Sequence, residues 1–195
     1  MSASRLSTDA LSPATWPGYA ALIERHGGVF GGCWCLAFHA GTKGGSFAER
    51  RALKERLVAE GRSHAGLVFD GADCIGWAQF GRVAELPAIK ARRAYEAGRG
   101  DDPLPDWRIT CFFVDKAHRR QGVAARALEA ALAEIAREGG GVVEAYPEAL
   151  EGQKTAAGFL WGGMLGLFER AGFAPIRKIG LHRWVVRKTI EGRRS

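Results

Sequence analysis

The chain has 195 residues, a length that suits one domain. With 47% apolar residues and 10% aromatics it can build a core, which excludes a disordered chain. The formal charge of +7 and pI of about 9.6 favour phosphorylated or polyanionic ligands. The basic residues are spread in small clusters, and no basic helix interleaves base-reading side chains, so a nucleic-acid reader is not expected. No apolar window is long enough for a membrane helix, and no basic start followed by an apolar run marks a secretory signal. A cytoplasmic location with four reduced thiols, Cys33, Cys35, Cys74 and Cys111, is the expectation.

Residues 1–11 read as a weakly ordered start with a small edge strand near Arg5 to Thr8. Ser12-Pro13 predicts a helix start, the hydroxyl capping and the proline at the first helical position. Trp16, Tyr19, Ala20, Leu22 and Ile23 fall at helical spacing before Gly27-Gly28. Over Gly31 to His39, Trp34, Leu36 and Phe38 alternate with Cys33, Cys35 and Ala37, which predicts a short extended segment. Cys33, Cys35 and His39 lack a fourth ligand, so no metal is expected there. Trp34, Phe38 and Trp77 belong either to an acceptor pocket or to the core. Ser46 with Glu49 forms a capping box for a helix that ends at Gly61.

Ala65 to Phe69 and Cys74 to Val83, joined by Asp70-Gly71-Ala72-Asp73, predict an antiparallel hairpin. The connection 84–106 is long, with a short helix ending near Gly98, and is either a lid or a simple insertion. Trp107 to Asp115 is apolar on both faces, a buried central strand, with Ile109, Cys111 and Phe113 on one face and Thr110, Phe112 and Val114 on the other. A basic turn, Lys116 to Gln121, delivers the chain into a helix from about Gly122. Its apolar stripe is Ala124, Leu128, Ala131, Leu132 and Ile135, and it ends at Gly139-Gly140-Gly141. The first N–H groups of such a helix have no internal partners and carry partial positive charge, which makes this a candidate anion site. Val142 to Tyr146 is a second buried strand, parallel to the first across a right-handed crossover. A polar loop (Pro147 to Gly158), a last helix through Met164 to Phe168, strands Phe173 to Ile179 and Trp184 to Val186, and a polar tail (191–195) complete a single mixed α/β domain over 1–190.

The run Phe112-Phe113-Val114, four spacer residues, then Arg119-Arg120-Gln121-Gly122-Val123-Ala124 resembles the acyl-CoA motif of the GCN5-related N-acetyltransferases, Gln/Arg-x-x-Gly-x-Gly/Ala after a buried strand. Phe168-Glu169-Arg170-Ala171-Gly172-Phe173 resembles that family's aromatic-x-x-x-Gly-Phe helix end. The resemblance implies an α/β domain that transfers an acetyl group from acetyl-CoA to a primary amine, without a metal, or else a non-catalytic CoA-binding module of the same fold. It implies pyrophosphate held by the main chain from Gln121 to Ala124, with charge from Arg119 and Arg120. It implies a pantetheine arm paired with the main chain of Phe112, Phe113 and Val114. Glu144 matches a position where the family often carries a glutamate, and is either a general base or a salt-bridged or edge-facing residue. The family's usual acidic Tyr is replaced by Phe168, and a frequent Asn by Trp161, which leaves Tyr146, Cys111 or solvent to supply a proton. The implied partner is an amine; neither nucleic acid nor membrane is expected, and a homodimer is an option.

Overall fold

Turn chemistry and apolar runs build a seven-stranded sheet, described by a computed structural model over residues 6–42, 44–149 and 161–193. The sheet order is β1 (Leu6–Ala10), β2 (His64–Asp70), β3 (Asp73–Arg82), β4 (Trp107–Val114), β5 (Gly140–Ala145), β7 (Arg183–Glu191) and β6 (Ala174–Ile179). Every neighbouring pair is antiparallel except β4 and β5, which are parallel. The helices are α1 (Trp16–Arg25), α2 (Val29–Gly32), α3 (Phe47–Ala59), α4 (Arg92–Arg99), α5 (Val123–Arg137) and α6 (Leu165–Arg170). The β2–β3 hairpin, the α3 capping box and the β4–α5–β5 crossover are those the sequence predicts. Among the described residues no helix is long and apolar enough to cross a membrane.

Two cores flank the sheet. On one face Ala127, Leu128, Ala131 and Ile135 of α5 pack on Val68, Ile75, Ala78, Ile109 and Val143. On the other, Tyr19, Leu22 and Ile23 of α1 pack with Trp34, Leu57, Trp77 and Cys111. Each large apolar side chain so buried contributes about 1.5–3 kcal/mol before chain entropy is set against it. Trp34, Phe38 and Trp77 therefore belong to the core.

The structure departs from the sequence reading where local chemistry is overridden. The small edge strand expected near Arg5 to Thr8 is present as Leu6–Ala10, paired along its whole length with β2, while residues 1–5 and 194–195, and 150–158 of the polar loop, lie outside the described residues. The first helix begins at Trp16 rather than at Ser12-Pro13. The Thr15 hydroxyl accepts from the Ser12 N–H and donates to the Ala10 carbonyl, which makes residues 12–15 a turn. The segment Gly31 to His39 is not extended. Phe30, Gly31, Gly32, Trp34 and Cys35 all have positive φ, so the chain coils back and buries Trp34, Leu36 and Phe38 from a compact loop. Connection 84–106 carries α4, which lays Tyr95 on Tyr146, Ile179 and Val185. In β4 the expected alternation breaks at Thr110. Gln79 pairs with Cys111 and Phe80 with Ile109, so Thr110 is a bulge that moves Ile109 to the face of Phe112 and Val114.

Gly66 shows how tightly α5 sits on the sheet. A Cβ there would lie 2.5 Å from the Ala131 nitrogen and 2.6 Å from the Ala127 oxygen, both main-chain atoms with no room to give. Gly66→Ala is expected to cost about 1–3 kcal/mol. Urea unfolding checks this, as a lowered midpoint at unchanged slope; an unshifted midpoint would refute so close an approach.

Candidate active site

The site begins where β4 and β5 stop pairing. Register contacts run from Trp107–Val143 to Ile109–Ala145 and go no further. Beyond them Phe112 donates its N–H to the Trp161 carbonyl at 2.7 Å, away from β3. Strand alternation points the Val114 main chain the same way, since the next residue, Asp115, donates its N–H to Ile75 on the β3 side. Gly162 lies against the Tyr146 carbonyl, with a Cβ position 2.7 Å from that oxygen. Trp161 and Gly162 thus bridge the gap between the two strands.

The strand then runs into the basic loop. Asp115 Oδ1 accepts from the Ala117 N–H at 3.0 Å and shapes a 3-10 turn over Lys116–His118. Gln121 Nε2 donates to the Ala117 carbonyl at 3.1 Å and closes the loop on itself. Arg120 at φ 61° and Gly122 at φ 79° turn the chain into α5. Nothing lies within 4 Å of a Cβ at Gly122, so the glycine there answers to its left-handed φ and faces open space. The α5 N-terminus has no side-chain cap, which leaves its first N–H groups free for an anion.

A cleft of about 760 Å³ joins these parts. Phe112, Phe113 and Val114 form its floor, and Arg119, Arg120, Gly122, Val123 and Ala124 its basic end. Of the residues expected to hold a cofactor, only Gln121 does not line it. The opposite walls are residues that sequence reasoning missed: His26, Val29 and Phe30 after α1, and Gly163, Met164, Leu167 and Arg170 around α6. Their only local signals were the glycine-rich end of the first helix and the apolar positions of the last; long-range packing brings them here. Apolar walls with a basic end suit a long ligand with an apolar arm and a phosphorylated head.

Asp115 ties α1 to this cleft. Its Oδ2 lies 3.2 Å from Arg25 Nη2 and 3.0 Å from His26 Nε2. Burial works against its charge, but the contacts from His26, the Ala117 N–H and Arg25 prevail and hold its carboxyl at about 2.

The two candidate proton-transfer residues sit elsewhere. Glu144 is fully buried; it accepts from the Tyr146 hydroxyl and from Arg187 Nε, both at 2.7 Å. Glu144 is thus ion-paired with Arg187. Burial and the Glu144 charge push the Tyr146 phenol well above its usual range, so it keeps its proton. Neither residue lines the cleft; both lie under α4 beside Tyr95. Phe168 is also fully buried, edge-on to Phe112 and Phe173, and has no hydroxyl to offer.

Comparison with known proteins agrees with this fold. The family model described as acetyltransferase (GNAT) family matches residues 34–173, and the chain belongs to that family, whose general chemistry is acyl transfer. An acetyltransferase structure from Thermus thermophilus is 16% identical, with 94% of this chain and 96% of that one covered, at a TM-score of 0.51. An N-acetyltransferase from Staphylococcus aureus is 14% identical, with 96% and 99% covered, at 0.51. A GNAT-family acetyltransferase from Streptococcus pneumoniae is 12% identical, with 95% and 99% covered, at 0.51. At these identities the solved structures show a shared fold. No curated protein matches the sequence.

Two expectations follow. Glu144→Gln leaves Arg187, whose side chain is 17% exposed, without its counter-charge, at a cost of about 3–5 kcal/mol. A variant with an unshifted urea midpoint and collapsed turnover would instead restore the base role. For Asp115, the folded pKa is depressed, so its contribution is complete above the ordinary value of 3.8 and is lost as pH falls through about 2. The stability gap between the parent protein and Asp115→Asn is therefore expected to be full at neutral pH and to close on acidification to about 2, as measured by urea midpoints across that range.

Proposed function

We propose that this protein transfers an acyl group, acetyl in the first instance, from acyl-CoA to a primary amine by direct attack. The observation that carries the reading is the open edge of β4 leading without interruption into the uncapped, basic N-terminus of α5. In this reading the pyrophosphate sits on the N–H groups from Gln121 to Ala124, with Arg119 and Arg120 adding charge. The pantetheine arm pairs with the main chain from Phe112 to Val114 as an added strand. The thioester carbonyl takes the Phe112 N–H, which polarises it, and so displaces the Trp161 carbonyl that holds this donor. The amine nitrogen attacks the thioester carbon, the C–S bond breaks, the new amide sheds a proton, and the thiolate takes one up. Glu144 and Tyr146 are committed to each other and to Arg187, and Cys111 is buried and does not line the cleft, which leaves both proton transfers to water.

Thiol release from acetyl-CoA in the presence of a panel of primary amines tests the reading, and turnover with at least one amine is expected. Arg119→Ala removes a charged contact worth about 1.5–3 kcal/mol, so the KM for acetyl-CoA is expected to rise by about tenfold or more while kcat changes little. A second reading, a CoA-binding module without catalysis, is favoured by the Trp161 carbonyl on Phe112 and by Phe168 at the usual acid position. Stoichiometric CoA binding with no thiol release from any amine would establish it and overturn the first.

A further inference from the structure

Beside the β4 bulge, on the face away from α5, two thiols meet. Cys35 and Cys111 have their sulfurs 3.0 Å apart in a thiol–thiol hydrogen bond, and both are buried, at 2% and 3% exposure. A disulfide bond is about 2.05 Å long, so closing the pair needs a movement of about 1 Å. The surroundings are polar. Gln79 Nε2 donates to the Cys35 carbonyl at 3.0 Å and to Thr110 Oγ1 at 3.2 Å. Lys54 Nζ donates to Gln79 Oε1 at 2.7 Å and to Ser63 Oγ at 2.6 Å. Lys54 is fully buried, and among the described residues no carboxylate pairs with its ammonium. Burial lowers its pKa to about 8. A nearby thiolate is the anion this ammonium lacks.

The two thiols are not equivalent. Burial opposes ionisation of Cys35, but the hydrogen bond with Cys111 and the charge of Lys54 outweigh it and draw its pKa down. The bond to Cys35, with burial added, pushes Cys111 well up. One sulfur is thus the better nucleophile and its neighbour keeps a proton. Cys35 also lies in the coiled segment after α1, where Phe30, Trp34 and Cys35 all hold positive φ, a conformation these residues rarely adopt. Access for a small oxidant requires local opening of this segment.

We propose that Cys35 and Cys111 are an oxidative modification site, converted by a hydroperoxide to an intramolecular disulfide. The Cys35 thiolate attacks one peroxide oxygen, the O–O bond breaks, and with hydrogen peroxide the departing hydroxide leaves as water once protonated. Cys35 is then a sulfenic acid. The Cys111 sulfur attacks the Cys35 sulfur, its proton leaves with the hydroxyl as a second water, and the S–S bond forms. Two thiols and one peroxide become one disulfide and two waters. The bond ties residues 76 apart. It fastens the segment carrying Val29 and Phe30, a wall of the cleft, to the strand carrying Phe112 and Phe113, its floor.

The test treats the reduced full-length protein with near-stoichiometric hydrogen peroxide, then alkylates it under denaturing conditions and maps the peptides. The parent protein is expected to go from four alkylated cysteines to two, with a reductant-sensitive link between the Cys35 and Cys111 peptides. Cys111→Ala is expected to give no link and instead a sulfenic acid at Cys35 that a dimedone probe captures. If the variant does not fold, the map of the parent protein still decides. Full alkylation of both Cys35 and Cys111 after oxidation overturns the proposal, as does a link that uses Cys33 or Cys74 instead.

Discussion

The sheet cannot close between β4 and β5, and the site is built from that failure. Parallel pairing covers Trp107 to Ile109 and stops. The bulge at Thr110 turns β4 at that point, and on the other side Pro147, two residues past Ala145, has no N–H to continue a ladder. Main-chain groups beyond the break must still find partners if they are buried. Trp161 supplies one through its carbonyl on the Phe112 N–H. The remaining edge faces a cleft rather than a strand, which is the condition for a ligand to complete the sheet.

Charge at the other end of the cleft depends on one carboxylate being occupied. Asp115 stands between the strand and the basic loop, where a free negative charge would repel an anionic ligand. Its Oδ1 is taken by the Ala117 N–H and its Oδ2 by Arg25 and His26. The same contacts bring the end of α1 to the cleft, so the neutralisation of Asp115 and the placement of His26, Val29 and Phe30 are one structural event. Lys116, Arg119, Arg120, Arg170 and the α5 N-terminus are then left as the net field toward a ligand.

How much of this was legible in the sequence follows from the range of each interaction. The hairpin, the capping box, the β4–α5–β5 crossover and the floor and basic end of the cleft rest on residues close in sequence, and they were readable. The bulge was not, because Ile109 to Val114 alternates in composition and only the pairing with Gln79 and Phe80 shows the extra residue. The coil from Gly31 to His39 misled for a related reason: alternating Trp34, Leu36 and Phe38 describes burial, and here burial comes from a loop with left-handed residues. Glu144 was open between two roles because its partner Arg187 lies 43 residues on, beyond any local rule.

The bulge itself is held by side chains more than by the ladder. On one side of it along β4, Arg108 donates to the Leu86 carbonyl and lies opposite the Glu144, Tyr146 and Arg187 group in the β5 register. On the other, Thr110 accepts from Gln79, which also binds the Cys35 carbonyl and Lys54. Buried polar groups are costly unless satisfied, and a register slip of one residue would leave several of these without partners. An apolar β4 would pack as well in several registers. Polar residues at Arg108 and Thr110, each with a specific buried partner, select the register in which Thr110 is the extra residue and Phe112 turns its N–H toward the gap. The position of the Phe112 N–H, the donor assigned to the thioester in the proposed reaction, is therefore set by hydrogen bonds on the opposite face of the sheet from α5.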